Sequence, residues 1–316
     1  MLVSVIIPNY NHAVYLEKRI YSVLNQTYQD IEIIILDDNS TDNSQEVIEQ
    51  FRQHPKVSHV VINAKNSGTT FKQWKKGIEL AKGEWIWIAE SDDWCEPTLL
   101  EELIKPAIQN PELVIAFCQS LLFSPEGKIF YNTSAAYLTE IVDGPEFVRT
   151  KMLGVNHIIN ASTAIFRKSA YTQVSDGYEQ MKYCGDWLFW VHICLQGKVF
   201  ISGKILNYYL RHENNVATMA VKKGYDFLEG NKIFDFIMKS VKVSPQEKEV
   251  ALNIRLNMYL DRKNLFLNEK IQDQVYQSML ALDPNMEQQI KNKIKERSGQ
   301  KLTSSIKSYL KRVFGK

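Results

Sequence analysis

Two apolar runs, Leu2–Ile7 and Ile31–Leu36, limit the fold of this chain more than anything else in it. Both are near-continuous and rich in β-branched residues, the pattern of strands buried on both faces. Between them lie a polar loop, Asn9–His12, and then Val14, Leu16, Ile20, Val23 and Leu24 at helical spacing. Strand, helical crossover and strand make a βαβ unit, so the two strands should pair in parallel with a right-handed connection. The alternation goes on. Helix is expected over Ser44–Gln53, Phe71–Ala81 and Pro97–Ile108, and strand over Val57–Ile62, Trp85–Ala89 and Leu113–Phe117. The expected class is α/β, a doubly wound, mostly parallel, Rossmann-like sheet.

Acids gather where these strands end. Asp37-Asp38 follows the second strand, and Glu90-Ser91-Asp92-Asp93 follows the aromatic run Trp85–Ala89. Ligands of open α/β sheets bind beyond the carboxyl ends of strands, so both clusters can face one crevice. A single acidic cluster reads equally well as a solvated turn capping the next helix; two on one sheet edge favour a site. Clustered carboxylates repel unless a cation compensates them, and hard oxygen ligands favour Mg²⁺ or Mn²⁺. Pro8-Asn9-Tyr10 stands where a dinucleotide fold carries its glycine-rich turn, and no Walker-type loop is present. A nucleotide would therefore be held by side chains and a metal.

Beyond residue 120 the pattern predicts a hairpin over Leu121–Tyr131, a short helix over Gly144–Met152 and a strand entering a turn in Asn160–Arg167. Gly185-Asp186-Trp187 opens an apolar helix, where capping is the ordinary role for Asp186, and Val199–Tyr209 reads as strand. From about Val221 helix formers dominate, with helices expected near 221–240, 244–266, 268–281 and 284–297. The expected division is 1–215, 216–298 and 299–316. In the last segment Leu302, Ile306, Tyr309, Leu310, Val313 and Phe314 share a helical face opposite five cations. Such a helix suits an anionic membrane surface, with attraction of roughly 1 kcal/mol per cation, or else docks on its own domain or a partner chain. The net charge of +2 with mixed signs argues against nucleic acid. The four scattered cysteines read as reduced core thiols, and no apolar run is long enough to span a bilayer. With an N-terminus that begins in a strand pattern, these features lead to the expectation of a cytoplasmic protein.

Val3-Ser-Val-Ile-Ile-Pro8-Asn-Tyr-Asn11, Ser22-Val-Leu-Asn-Gln26-Thr27-Tyr28, Ile34-Ile-Leu-Asp37-Asp38-Asn-Ser-Thr-Asp42 and Glu90-Ser-Asp92-Asp93, in this order, resemble the family 2 glycosyltransferases. The likeness is specific over about residues 1–110, fair to about 215 and absent beyond. It implies a GT-A fold and an inverting, metal-dependent transfer of a hexosyl or N-acetylhexosaminyl group from a nucleoside-diphosphate sugar, UDP-sugars favoured, to an acceptor hydroxyl. By resemblance Asp38 binds the edge of the base, with Asp37 the weaker candidate, and Pro8 and Tyr10 pack on base and ribose. Asp92 approaches ribose or diphosphate, Asp93 holds Mn²⁺ or Mg²⁺, His212 joins the metal or diphosphate site, and Asp186 is the catalytic base.

The chain departs from the family in two places. Ser91 replaces an acid of the metal motif, and the helix before the fourth strand lacks the arginine that touches the nucleotide in relatives. Lys72, Lys75 or Lys76 could supply that charge, and Lys72 is taken as the candidate. The Gln-x-x-Arg-Trp motif of processive synthases is missing, which favours addition of one or a few sugars. The basic C-terminus suggests a glycan or lipid-linked acceptor in surface-polysaccharide synthesis at the inner membrane face, and the terminal helices leave room for a homodimer. The competing readings are a non-catalytic nucleotide-sugar-binding or scaffold protein, for which Asp186 is the discriminator, and a sugar-nucleotide pyrophosphorylase, against which Pro8-Asn9-Tyr10 argues.

Overall fold

The computed structural model describes residues 1–133, 138–211 and 216–298. The chain divides into two compact units, Met1–Val216 and Ala217–Lys316. In the first, β1 (Val3–Asn9), α1 (Ala13–Leu24), β2 (Ile31–Asp37), α2 (Ser44–Phe51), β3 (Val57–Ile62), α3 (Thr70–Leu80) and β4 (Trp85–Ile88) follow the expected alternation. A two-residue β5 (Trp94–Cys95) precedes α4 (Leu99–Gln109). Next come β6 (Leu113–Phe123), β7 (Ile129–Asn132), β8 (Glu140–Asp143), α5 (Gly144–Phe147), β9 (Ala164–Arg167), α6 (Lys168–Tyr171), α7 (Gly185–Cys194) and β10 (Lys198–Leu210).

The strands form one sheet in the order β3-β2-β1-β4-β9-β6-β10-β5, with β7 on β6 and β8 on β10. β1 lies parallel to β2 (Val3 opposite Ile31) and to β4 (Val3 opposite Trp85), and all seven of its residues are buried. Because side chains alternate across a sheet, Val3, Val5 and Ile7 join Ile31, Ile33, Ile35, Trp85 and Trp87 in a core with Leu16, Ile20 and Val23 of α1 and Ile48 of α2. On the opposite face α3 lies so close to β1 that a Cβ on Gly77 would stand 2.4 Å from Ile6 Cγ2.

The structure corrects the expected topology at β9. The sheet is not doubly wound throughout, since β9 is inserted between β4 and β6 and runs antiparallel to both. The turn at 161–163 also precedes this strand rather than following it. A reversed strand begins where its neighbours end, so the segment just before β9 arrives at the carboxyl end of β4. The hairpin is found as β6–β7, closed by Ser124 N donating to Lys128 O at 2.9 Å with Gly127 at φ 82°.

The second unit is helical: α8 (Val216–Lys222, straddling the boundary), α9 (Tyr225–Leu228), α10 (Gly230–Ser240), α11 (Pro245–Arg262), α12 (Glu269–Leu280) and a helix over 286–298. The single helix expected near 221–240 is broken at Gly224, whose φ of 69° lies in the left-handed region. Ser244 and Glu247 form a capping box at the start of α11. Arg255, wholly buried, donates from Nε to Asn231 Oδ1 (3.0 Å) and from Nη2 to the Asp226 carbonyl (3.1 Å), joining the helices through a polar tie. His212 and the segment 299–316 lie outside the described residues. Among the described residues no helix is long and apolar enough to cross a membrane.

Candidate active site

The site grows from the carboxyl ends of β1, β2 and β4. Asp37 is buried there as a fastening. Its carboxylate accepts from Asn9 Nδ2 (2.9 Å), Ser40 N (2.9 Å) and Ser40 Oγ (2.5 Å), tying β1 to the turn after β2. Asn11 at φ 57° and Asn39 at φ 62° occupy the left-handed region in the two adjoining loops, a conformation asparagine adopts more readily than most residues. Asn11 Oδ1 also accepts from Thr41 N at 2.7 Å, so the two loops are laced together.

Asp38 faces another partner set. It accepts from Asn63 Nδ2 (2.7 Å), Ser67 N (2.9 Å), Ser67 Oγ (2.8 Å) and Gln73 Nε2 (2.9 Å). Its own N–H donates to the Asn9 carbonyl at 2.9 Å, which sets buried Pro8 and exposed Tyr10 beside it. Lys72 Nζ donates to the Ser67 carbonyl (3.0 Å) and Lys76 Nζ to Asn63 Oδ1 (2.6 Å), so both lie on the Asp38 side of the crevice. Lys75 is engaged elsewhere, bonded to Asp176 (3.2 Å) and Glu179 (3.0 Å).

The acidic loop is layered. Asp92 is half-buried, while Asp93 beneath it is 1% exposed. Asp93 Oδ2 accepts from Asn160 Nδ2 (2.8 Å) and Ser162 Oγ (2.7 Å), and its Oδ1 is buried without a hydrogen-bond partner. Glu90 Oε1 accepts from Trp74 Nε1 at 2.9 Å and its backbone N–H donates to Ser162 Oγ at 3.1 Å. Burial, reinforced by the charge of Asp92, pushes the Glu90 carboxyl up to about 8 and that of Asp93 to about 7. Ser91, which stands in for an acid, is buried and bonded to His12 Nδ1 at 2.8 Å. Among the described residues no three His, Cys, Asp or Glu side chains converge as a metal-binding group.

Asp186 sits in the first turn of α7, its Oδ2 accepting from Asn156 Nδ2 at 3.0 Å. The phenol of Tyr209, near the end of β10, relates it to the acidic loop. Burial first, and then the charges of Asp93, Asp92 and Asp186 against that of Arg211, push this phenol well above its ordinary range. The charges of Asp92, Asp93 and Asp186 thus all bear on one half-buried phenol. Sequence reasoning missed His12, Trp74, Asn160, Ser162 and Tyr209. The bonds from Asn160 and Ser162 to Asp93 span 67 and 69 residues, and nothing local in the chain marks them.

Comparison with known proteins agrees with this architecture. The sequence profile described as "Glycosyl transferase family 2" matches residues 4–174. The chain is 41% identical over 140 residues to the glycosyltransferase GlyG of Streptococcus pneumoniae, covering 44% of this chain and 46% of that protein. It is 24% identical over 262 residues to a Campylobacter jejuni beta-1,3-glucosyltransferase named for GalNAc(5)-diNAcBac-PP-undecaprenol, covering 81% of each. It thus spans under half the length of the pneumococcal relative, and 23% of the Pasteurella multocida hyaluronan synthase, to which it is 28% identical. Among solved structures, Staphylococcus aureus TarS 1–349 in complex with UDP-GlcNAc superposes with a TM-score of 0.62 at 16% identity over 92% of both chains. The mannosyltransferase PcManGT of Pyrobaculum calidifontis, in complex with GDP-Man and Mn²⁺, gives 0.51 at 13% identity over 88% of this chain and 75% of its own. Those two likenesses show the GT-A type of fold, and the profile covers more than half of the sequence. The chain belongs to glycosyl transferase family 2.

Proposed function

We propose that this glycosyltransferase carries out an inverting transfer of a hexosyl or N-acetylhexosaminyl group from a nucleoside-diphosphate sugar, UDP-sugars favoured, to an acceptor hydroxyl in surface-polysaccharide synthesis. The observation that carries this reading is the acidic loop after β4, where Asp93 keeps one buried carboxylate oxygen without a partner, at the sheet edge that also bears Asp38. The UDP-GlcNAc and UDP in the TarS complexes support the choice of nucleotide.

Asp38 accepts the imide N–H of a uracil-like edge, exchanging a loop donor for the base. Pro8 and Tyr10 flank base and ribose, and Lys72 adds a point charge at the rim. Asp92, the more exposed acid, meets ribose or diphosphate. The residues fit a divalent cation: Asp93 Oδ1 is a buried acceptor without a partner, and burial, reinforced by the charge of Asp92, holds protons on Glu90 and Asp93 where a cation would release them. Asp93, with Asp92 beside it and His212 by resemblance, would hold Mn²⁺ or Mg²⁺, and the Mn²⁺ in the PcManGT complex is in keeping with this. When bound, such an ion supplies Lewis-acid stabilisation to the departing diphosphate. Asp186 takes the proton of the acceptor hydroxyl as that oxygen attacks the anomeric carbon, and the bond from Asn156 sets the direction of its carboxylate. The basic segment 299–316 brings the enzyme to an anionic membrane surface carrying a lipid-linked acceptor, which co-sedimentation with anionic and neutral vesicles would test.

The deciding experiment is release of nucleoside diphosphate from UDP-, GDP- and dTDP-sugars, with and without Mn²⁺, by the wild type and by Asp186→Asn. One donor should be turned over, and Asp186→Asn should lower kcat by roughly 10²- to 10⁴-fold while UDP binding is unchanged. Near-normal turnover by folded Asp186→Asn would remove it as the base, and no binding of any nucleotide sugar would sink the site.

A further inference from the structure

Helix α3 sends three consecutive side chains in three directions, two of them into the site and the third to the segment that leads to α7. Gln73 donates to Asp38 at 2.9 Å, Trp74 Nε1 donates to Glu90 Oε1 at 2.9 Å, and Lys75 bonds Asp176 and Glu179, just ahead of α7. The middle one, 2% exposed, makes two connections at once. Its ring packs edge-on against Phe189 (centroids 5.5 Å apart) and tilted against Trp190 (5.8 Å). Those residues follow Asp186 by three and four positions and so lie on the same face of α7. Phe71, one turn back on α3, extends the contact to Tyr178 (6.2 Å), and the start of α7 comes so near that a Cβ on Gly185 would stand 2.6 Å from Phe71 Cε2. The same indole thus holds the acidic loop by its N–H and seats the helix of Asp186 by its ring.

Burial alone does not account for the bond to Glu90. Trp85 and Trp190 are as deeply buried, and their Nε1 atoms have no hydrogen-bond partner. A tryptophan that only filled space here could be a phenylalanine.

We propose that Trp74 is a positioning residue that fixes the separation between the acidic loop and Asp186, and with it the alignment of donor sugar and acceptor hydroxyl. The proposal rests on the transferase reading given above. Trp74→Phe keeps the ring against α7 and loses only the N–H. In the intact chain it should lower kcat by roughly tenfold or more, since a misplacement of about 1 Å can cost 10²-fold, with donor KM within about twofold. A merely structural role would lower the melting temperature and leave kcat per folded molecule unchanged. In a double-mutant cycle, Trp74→Phe with Glu90→Ala should be no slower than Glu90→Ala alone. Independent, multiplying losses, or full kcat in Trp74→Phe, would overturn the proposal. The indole N–H resonance, assigned by its disappearance in Trp74→Phe, should also move in Glu90→Ala and on addition of UDP with Mn²⁺. A resonance unmoved in Glu90→Ala refutes the coupling whether or not any donor is turned over. A wild type that turns over no donor would count against the transferase reading alone.

Discussion

Ser162 offers the most direct test of how the acidic loop is built. Its hydroxyl donates to Asp93 Oδ2 at 2.7 Å and accepts from Glu90 N at 3.1 Å, so Ser162→Ala removes two bonds in a wholly buried place. At pH 8, above the raised Asp93 value of about 7, a hydrogen bond to the charged carboxylate contributes about 1.5–3 kcal/mol, and an orphaned buried N–H costs about 1–3 kcal/mol. The bond from Asn160 to the same Asp93 oxygen remains and allows part of this to relax. The expected loss is therefore about 3 kcal/mol of the stability of the first unit. Urea unfolding followed by tryptophan fluorescence isolates that unit, because all six tryptophans, Trp74 to Trp190, lie within Met1–Val216. Exposed Ser169→Ala is the control and should stay within about 0.5 kcal/mol. If the loss at Ser162 is also within that margin, the hydroxyl does not support Asp93. A second arm reads function: with a cation at Asp93, the Mn²⁺ concentration for half-maximal rate should rise roughly 10- to 100-fold in Ser162→Ala.

The raised Glu90 and Asp93 carboxyls make stability fall as pH rises, because the folded chain keeps protons up to about 8 and about 7 that the unfolded chain has already released. His157, held neutral by burial down to about 4, acts oppositely on the acid side, where stability falls as pH drops below the unfolded histidine value. The clean window is therefore pH 6.5 to 8, in which the urea midpoint should drop, Glu90→Gln should flatten the slope, and Mn²⁺ should stabilise most at pH 8; a midpoint that rises across that window refutes the assignment. Asp38→Asn replaces an acceptor by an amide among the donors of Asn63, Ser67 and Gln73. It should raise donor KM by about tenfold with kcat nearly kept, as for loss of uniform binding, and a fall in kcat alone would mean that Asp38 serves the chemistry instead.

The parallel half of the sheet was legible because its strands are near-continuous apolar runs, such as Val3–Ile7 and Ile33–Leu36, and because acids stand at the ends of two of them. The reversal of β9 was not. Ala164–Arg167 is four residues long, and three apolar residues followed by an arginine carry no mark of their direction. The same limit hid Asn160 and Ser162, whose meaning comes from where that reversed strand begins. Gly224 ends α8 in a conformation the composition allows but does not require, so the helix read through it. At α3 the sequence showed which charge was lost. Only the fold shows that Trp74 turns to Glu90, that Lys75 is spent on Asp176 and Glu179, and that Lys72 and Lys76 stay near Asp38.

The insertion of β9 also bears on how the protein opens. Its residues are paired on one side to β4 and on the other to β6, with Ala164, Ile165 and Phe166 wholly buried. Amide protons there can exchange with solvent only when the first unit unfolds as a whole, at the top of its range of opening free energies. The segment around Asn63, Ser67 and Gly68 is held to the sheet edge through side-chain bonds to Asp38 and one backbone bond, Asn63 N to the Asp37 carbonyl at 2.8 Å, and its amides should exchange by local opening. Hydrogen exchange should therefore find the amides of Ala164–Phe166 among the slowest of the first unit and those near Gly68 much faster, so that the support under Asp93 outlasts the loop beside Asp38.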